Sequence, residues 1–374
     1  MTLRPVASPL ASSGASPAPL ARLAGQLVIG GFPGTELPQG FARALGQGRR
    51  GGAILFRPNV TEGPAQTAAL VRQIHAAAPE TPLVGVDQEG GRVARLRSPL
   101  LEVPPMRTIG SWGDLPLAER IARAVGREVG ALGFTIVFAP VLDVNTCAQN
   151  PVIGDRAFGE DPGTVAAFGA AWIRGLQGTG VLACGKHFPG HGDTTKDSHV
   201  DLPVVDQPRE RLEALELAPF RAAVAEGVAA LMTAHVVYPA IDRQRPGTLS
   251  RAIATDLRGA IGFQGMLVSD DLEMRAIGAR WSIEDAAVQA VAAGCDALLV
   301  CWSEELQERA VGALTREAEA SPAFRQRCEE ASARVGAARR RIAARPLDAD
   351  ALSSVIEGPE SRAVAAEIAR RTAP

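Results

Sequence analysis

The chain has 374 residues, of which 46% are hydrophobic and 21% are charged, and its formal net charge is −2 at pH 7. A chain of this length and composition can bury a large core, and about 200–250 residues or more can form one barrel domain. The near-neutral charge offers no basic field for nucleic acid or an anionic membrane, and no stretch approaches the roughly 18 apolar residues of a membrane span. Small uncharged substrates fit this charge balance better.

The first twenty residues are rich in Ala, Ser and Pro and contain one Arg but no unbroken apolar core. This composition predicts a disordered leader over residues 1–20 rather than a signal peptide. The five cysteines lack the spacing of metal ligands, so we expect buried free thiols in a reducing cytoplasm. The sequence therefore predicts a cytoplasmic protein.

Short apolar runs then alternate with amphipathic helical patterns about eight times. Each run is almost continuously apolar, as a strand covered on both faces must be. The predicted strands cover residues 27–32, 52–56, 83–87, 136–143, 182–187, 230–237, 265–270 and 296–302.

The segments between these runs carry helical signals. Ser282 and Asp285 predict a helix start, and Gly294 predicts its end. Two helical faces are formed by Ile121, Val125, Val129 and Leu132, and by Val165, Phe168, Trp172 and Leu176. Eight alternations favour a single (β/α)8 TIM-type barrel, with a doubly wound sheet as the alternative. We expect the barrel with its C-terminal helices to span residues 21–345, followed by a C-terminal helical tail over 346–374 and no second folded domain.

Polar side chains fall at the last residues of several predicted strands, where barrel enzymes place their chemistry. Any single one could be structural, since an Asp at a strand end can cap the next helix and a lone His can be a satisfied core residue. The six groups are Asp87, Asp143, Lys186, His187, His235 and Asp270.

The segment 186–199 holds both lysines of the chain and three of its five histidines. Its glycines, carboxylates and imidazoles predict an exposed functional loop. One interpretation is a divalent metal site, and the other is a flexible lid. The possible metal ligands would be His187, His191, Asp193, Asp197 and His199.

Four segments, 86–93 (VDQEGGRV), 154–159 (GDRAFG), 186–199 (KHFPGHGDTTKDSH) and 268–274 (VSDDLEM), occur in this order along the chain. Together they resemble the successive motifs of glycoside hydrolase family 3, and most closely its single-domain bacterial β-N-acetylglucosaminidases of peptidoglycan recycling. The resemblance runs from about residue 25 to residue 302 and implies a TIM-type barrel.

The resemblance also implies roles for individual residues. Retention at a glycosidic bond requires a carboxylate nucleophile and an acid that later serves as base. Strand parity alone leaves open whether Asp270 or Asp271 faces the sugar; the resemblance implies Asp270 as the nucleophile. It implies His199 as the acid, with Asp197 as its partner. The implied sugar-binding residues are Asp87, Arg95, Arg156, Lys186 and His187.

The function implied is that of a retaining exo-glycoside hydrolase that releases terminal β-linked N-acetylglucosamine from peptidoglycan fragments. The substrate would be a small carbohydrate or muropeptide, and the protein a monomer that binds no nucleic acid, membrane, cofactor or metal. A family-related β-glucosidase or glycoside phosphorylase is the first alternative. Metal-dependent hydrolysis and an inactive sugar-binding barrel are alternatives from other classes.

Overall fold

The computed structural model describes residues 19–195, 202–356 and 358–373. Within these ranges eight parallel strands close a barrel: β1 (Val28–Gly30), β2 (Gly52–Leu55), β3 (Leu83–Val86), β4 (Ile136–Val137), β5 (Leu182–Phe188), β6 (Ala230–Thr233), β7 (Met266–Asp271) and β8 (Ala297–Val300). The strands follow chain order around the barrel, and β8 pairs with β1 to close it. The predicted TIM-type barrel is therefore confirmed.

Helices and two hairpins surround the barrel. The hairpins pair Gln88–Gly90 with Val93–Ala94 and Val237–Tyr238 with Asp242–Pro246. The α-helices of the described residues are Pro19–Gly25, Gln39–Gly46, Pro64–Ala77, Met106–Ser111, Leu115–Ala131, Pro162–Gln177, Arg209–Arg211, Ala218–Ala225, Arg258–Ala260, Arg275–Gly278, Ile283–Ala293, Glu304–Ala320, Pro322–Arg339, Ala349–Ile356 and Pro359–Thr372. Shorter π-helical and 3-10 turns cover Leu212–Glu216, Ala252–Leu257, Arg57–Asn59, Gly154–Arg156 and Gly247–Leu249.

The helical signals in the sequence correspond to real caps and buried faces. The Ser282 hydroxyl accepts from the Asp285 amide at 3.1 Å and starts the helix Ile283–Ala293, which ends at Gly294 with a φ of 136°. The predicted apolar faces lie on the helices Leu115–Ala131 and Pro162–Gln177 and are buried. These amphipathic faces pack the helices onto the outside of the barrel.

Two predicted strands extend too far. The run 136–143 is a strand only over Ile136–Val137, and the run 230–237 is a strand only over Ala230–Thr233. Pro140 has no amide to donate to a ladder, and Val237 pairs in a separate hairpin. A continuous apolar run marks burial, and buried chain continues past the point where the ladder stops.

The two ends of the chain were predicted to be a leader and a helical tail. Residues 1–18 lie outside the described range, and the first described helix begins at Pro19. The helices Ala349–Ile356 and Pro359–Thr372 both contact Leu115–Ala131, and Arg371 binds Asp114 at 2.7 Å. The predicted division into leader, barrel and tail stays a prediction. None of the described helices combines the length and apolar character needed to cross a lipid bilayer.

Candidate active site

A cavity of about 580 Å³ opens at the carboxyl ends of the barrel strands. This is the face on which TIM-type barrels hold their functional groups, because the loops after all eight strands meet there. Six of the predicted site residues line the cavity, namely Asp87, Arg95, Arg156, Lys186, His187 and Asp270.

Asp87 lies directly after β3 and binds two cations. Its Oδ1 accepts from Lys186 Nζ at 2.9 Å, and its Oδ2 accepts from Arg95 Nη2 at 3.1 Å. Burial opposes ionisation of Asp87, but Lys186 and Arg95 outweigh it and lower the pKa of the carboxyl. Asp87 is therefore an ionised acceptor fixed on both of its oxygens.

Glu89 was not among the predicted site residues, yet it joins the two inner cations of the cavity. Arg156 donates to it through Nε and Nη2, both at 2.8 Å, and Lys186 Nζ lies 2.6 Å from its Oε1. Burial opposes ionisation, but Arg156 and Lys186 hold the pKa of Glu89 well below its usual range. Glu89 lies two residues after Asp87, so an extended chain would place both on the same side, and this spacing was the available signal.

The expectation of an exposed loop over 186–199 is wrong for its first part. Lys186 and His187 belong to the last residues of β5, and His191 and Thr194 are also buried. Burial is possible because each polar group finds a partner: Lys186 binds Asp87 and Glu89, which raise its pKa against the effect of burial.

Asp143 organises the two buried imidazoles of this segment. Its Oδ2 lies 2.7 Å from His187 Nδ1, and its carboxylate accepts from the main-chain amides of His187 and His191 at 3.2 and 2.6 Å. Because a carboxylate only accepts, His187 Nδ1 carries a proton, and in the neutral ring Nε2 is then an acceptor. Burial, with His187 nearby, lowers the pKa of His191 to about 4. Asp143 therefore does not act as a helix cap; it sets the orientation of His187.

Lys186 and His187 both line the cavity although they are adjacent in sequence. A regular strand would send them to opposite faces, so both could reach a sugar only if the strand had already broken into loop. β5 does not break into loop there, because it continues to Phe188. Its pairing with β6 instead shifts register between Lys186 and Phe188, and the Lys186–His187 peptide is cis.

The adjacent carboxylates at the end of β7 have different partners. Asp271 Oδ1 accepts from the amides of Glu273 and Cys301 at 3.1 and 3.2 Å, so it holds the loops after β7 and β8 together. Burial, reinforced by Glu273 and Asp270, raises the pKa of Asp271 to about 7.

Among the described residues, Asp270 receives one hydrogen bond, from the Asp271 amide at 2.8 Å. Burial opposes its ionisation, but His235 and His187 outweigh it and lower its pKa. Of the two carboxylates, Asp270 is thus the one that is both ionised at neutral pH and little occupied by main-chain partners.

His235 is a buried, hydrogen-bonded residue in this arrangement. Its Nδ1 lies 2.7 Å from the Thr248 hydroxyl, and its Nε2 lies 2.9 Å from the Asp271 carbonyl oxygen. A carbonyl only accepts, so Nε2 carries a proton and donates to the main chain beside Asp270.

His199 and Asp197, the predicted acid and its partner, lie outside the described residues, as does Lys196. In the described chain before them, hydrogen bonds and an ion pair hold the Asp193 side chain in place. The Thr146 hydroxyl and the Gln207 amide donate to its carboxylate at 2.9 and 2.6 Å, and Arg211 lies 3.3 Å away. Within the described residues, no three His, Cys, Asp or Glu side chains form a group that could hold a metal ion.

Comparisons with known proteins agree with this architecture. Residues 25–338 match the glycosyl hydrolase family 3 N-terminal domain. A β-hexosaminidase of Thiobacillus denitrificans is 43% identical over 287 residues, which cover 75% of this chain and 79% of that protein.

Two solved structures are also similar. A glycoside hydrolase family 3 β-N-acetylglucosaminidase from Paenibacillus superposes with a TM-score of 0.85 at 38% identity, covering 95% of this chain and 69% of that one. NagZ from Neisseria gonorrhoeae, in complex with N-trifluoroacetyl-D-glucosamine, superposes with a TM-score of 0.77 at 31% identity, covering 93% and 98%. From these matches, the chain belongs to glycoside hydrolase family 3.

Proposed function

We propose that this protein is a retaining exo-acting β-N-acetylhexosaminidase that releases terminal β-linked N-acetylglucosamine from peptidoglycan fragments. The observation that carries the proposal is an ionised, lightly bonded Asp270 in one cavity with the buried charge of Lys186 and the half-buried charges of Asp87 and Arg156. Relatives named β-hexosaminidase, at about 40% identity, support the choice of sugar.

The charged inner end of the cavity suits the hydroxyl groups of one sugar ring. Ionised carboxylates accept from hydroxyls, and ammonium and guanidinium groups donate to them. Because Asp87, Glu89, Lys186 and Arg156 already hold one another, these groups are oriented before a sugar arrives. We assign Asp87, Arg95, Arg156, Lys186 and His187 to the terminal sugar.

In the first chemical step, an Asp270 oxygen attacks the anomeric carbon and forms a glycosyl ester. The bond from that carbon to the leaving oxygen breaks, and the departing oxygen takes a proton from His199. In the second step, water gives a proton to His199 and attacks the same carbon, which releases Asp270 and the free sugar. Asp197 would orient the imidazole. This dyad assignment is supported by the family resemblance of the segment 186–199.

The cellular setting belongs to the same proposal. All five cysteines are free thiols, and Cys184, Cys295, Cys301 and Cys328 are buried. Free thiols support a reducing cytoplasm, where an enzyme of peptidoglycan recycling would meet small muropeptides. We propose that it acts there as a monomer.

Covalent labelling tests the nucleophile. A 2-fluoro sugar with an activated leaving group should label Asp270, and Asp270→Asn should remove nearly all turnover of aryl N-acetyl-β-glucosaminides while the protein stays folded. Labelling of Asp271 or Glu273 would overturn the assignment. The same assay on aryl β-glucosides, and with added phosphate, separates the glucosidase and phosphorylase alternatives.

The acid can be tested by varying the leaving group. His199→Ala should reduce hydrolysis of sugar and alkyl leaving groups far more than that of activated phenols, which depart with little protonation. Asp197→Ala should follow the same pattern more mildly. An equal loss for all leaving groups would show that His199 only binds, and loss of activity on chelation would favour the metal-dependent alternative.

A further inference from the structure

Two aromatic side chains stack at the mouth of the cavity. Phe56 follows β2 and Trp302 follows β8, and their ring centroids are 4.5 Å apart with an interplanar angle of 20°. Trp302 is 53% exposed although it lines the same cavity as Asp270. Since Phe56 covers one face of the indole, the exposed area is its opposite face and its edge.

The pair is held in a fixed place relative to the nucleophile. Glu273, three residues after Asp270, accepts from the Trp302 amide at 2.6 Å and from the Ser303 amide at 3.1 Å. The loop after β7 therefore fixes the main chain that carries the indole.

On the other side, the guanidinium carbon of Arg95 lies 5.7 Å from the Phe56 ring centroid, and the same guanidinium binds Asp87. The aromatic pair thus contacts the inner charged group through Arg95. A cation beside an aromatic ring at this distance is a favourable contact.

The position of the pair identifies what it would bind. A terminal sugar that reaches Asp270 and the buried charges fills the inner end of the cavity, so only the leaving group projects toward the exposed end. A rigid aromatic face presents a large apolar area at low entropic cost, and this area suits the C–H face of a pyranose ring.

We propose that Trp302, supported by Phe56, is the binding platform for the sugar ring that forms the leaving group. The inference rests on the proposed exo-hydrolase function and adds a second sugar site to it. Trp302 would then favour saccharide leaving groups over small ones without taking part in the chemistry at the terminal sugar.

The test compares two substrates with the same terminal sugar. One is the β-1,4-linked disaccharide of N-acetylglucosamine, and the other is N-acetyl-β-glucosaminyl fluoride, whose leaving group is too small to reach the platform. Trp302→Ala should lower kcat/KM for the disaccharide roughly threefold to tenfold, mainly through KM, and leave the fluoride unchanged. Trp302→Phe should keep most of the preference for the disaccharide over the fluoride, and Trp302→Leu should behave like Trp302→Ala.

The controls separate the possible failures. Trp112→Ala removes a half-buried tryptophan that does not line the cavity. It should leave the ratio of the two kcat/KM values, for the disaccharide and for the fluoride, unchanged. Equal losses of kcat/KM on both substrates in Trp302→Ala, or no loss on either, would overturn the proposed role of Trp302. A wild-type protein that hydrolyses neither substrate would instead refute the proposed function.

Discussion

At the scale of single residues, the inner end of the cavity is a network of two anions and two cations, of which Glu89 and Lys186 are buried and Asp87 and Arg156 are half-buried. Glu89 contacts both Arg156 and Lys186, and Asp87 contacts Lys186. Each charge is compensated only while its partners remain, because removing one member leaves another charge buried and unpaired.

Replacing Glu89 should therefore have a large effect. Glu89→Gln keeps the shape of the side chain but leaves Arg156 and Lys186 short of one negative charge, and we expect a loss of about 3–5 kcal/mol in the free energy of unfolding at neutral pH. Urea unfolding measures this change. Glu284→Gln, which breaks an exposed pair with Arg309, is the matched control and should change stability little.

The loss of stability in Glu89→Gln should depend on pH. The pKa of Glu89 in the folded protein is below the ordinary 4.5, so its contribution is fully present above that value and is lost as the pH falls through the folded pKa. The stabilities of the wild type and Glu89→Gln should converge in acid. A difference that stays constant from pH 7 to pH 3 would contradict the assigned charge.

The sequence identified most of this network but not all of it. Side chains at strand ends could be found because barrel strands all point the same way, and this rule selected Asp87, Lys186 and Asp270. Glu89 lies beyond β3, in a hairpin, so the strand-end rule does not select it, and its two-residue spacing from Asp87 was the remaining signal. The stacking of Phe56 on Trp302 depends on the three-dimensional separation of two loops that are far apart in the chain, which no local pattern encodes.

At the scale of elements, the apolar runs located all eight strands, while the lengths of β4 and β6 were not predictable. Hydrophobicity reports burial, and the main chain after these strands is still buried although it has left the ladder. Where a strand stops depends on hydrogen bonding to its neighbours, and those partners come from distant segments of the chain.

At Gly192, just before the segment that leads to His199, the main chain passes very close to the loop after β4. A Cβ on Gly192 would lie 1.8 Å from the Val144 carbonyl oxygen, so any side chain there would push the segment away from the loop after β4. That movement would disturb the hydrogen bond from the His191 amide to Asp143.

We expect Gly192→Ala to lower stability by about 1–3 kcal/mol and kcat/KM by roughly tenfold or more. Thermal unfolding and the aryl glycoside assay measure the two effects. Gly259→Ala is the control, since a Cβ at that helical position meets nothing within 4 Å. Wild-type behaviour of Gly192→Ala would mean that the segment tolerates displacement.

At the scale of the whole molecule, the cavity and the C-terminal helices are separate. The described residues that line the cavity end at Trp302, whereas the last two helices bury Leu352, Ile356, Val364 and Ile368. These helices cover the outer side of Leu115–Ala131.

Removing residues 349–374 should therefore destabilise the protein without altering its chemistry. Each buried aliphatic side chain contributes about 1.5–3 kcal/mol before the cost of ordering the helices, so a net loss on the order of 2–5 kcal/mol is expected. Thermal unfolding should show it, with Val364→Ala giving a smaller loss. Reduced kcat/KM at a temperature where the truncated protein is folded would place part of the site in the tail.

The closure of the barrel by β1 and β8 has a consequence for biosynthesis. Phe56 leaves the ribosome early and Trp302 late, and at about 5–20 residues per second the interval between them is roughly 10–50 s. Throughout that time β1 lacks β8, the neighbour that pairs with it along Val28–Gly30, and the amide and carbonyl groups on that edge remain open to other chains. The nascent protein must therefore stay protected from aggregation until almost its whole barrel has been synthesised. No shorter product of translation can hold both Phe56 and Trp302 in the cavity.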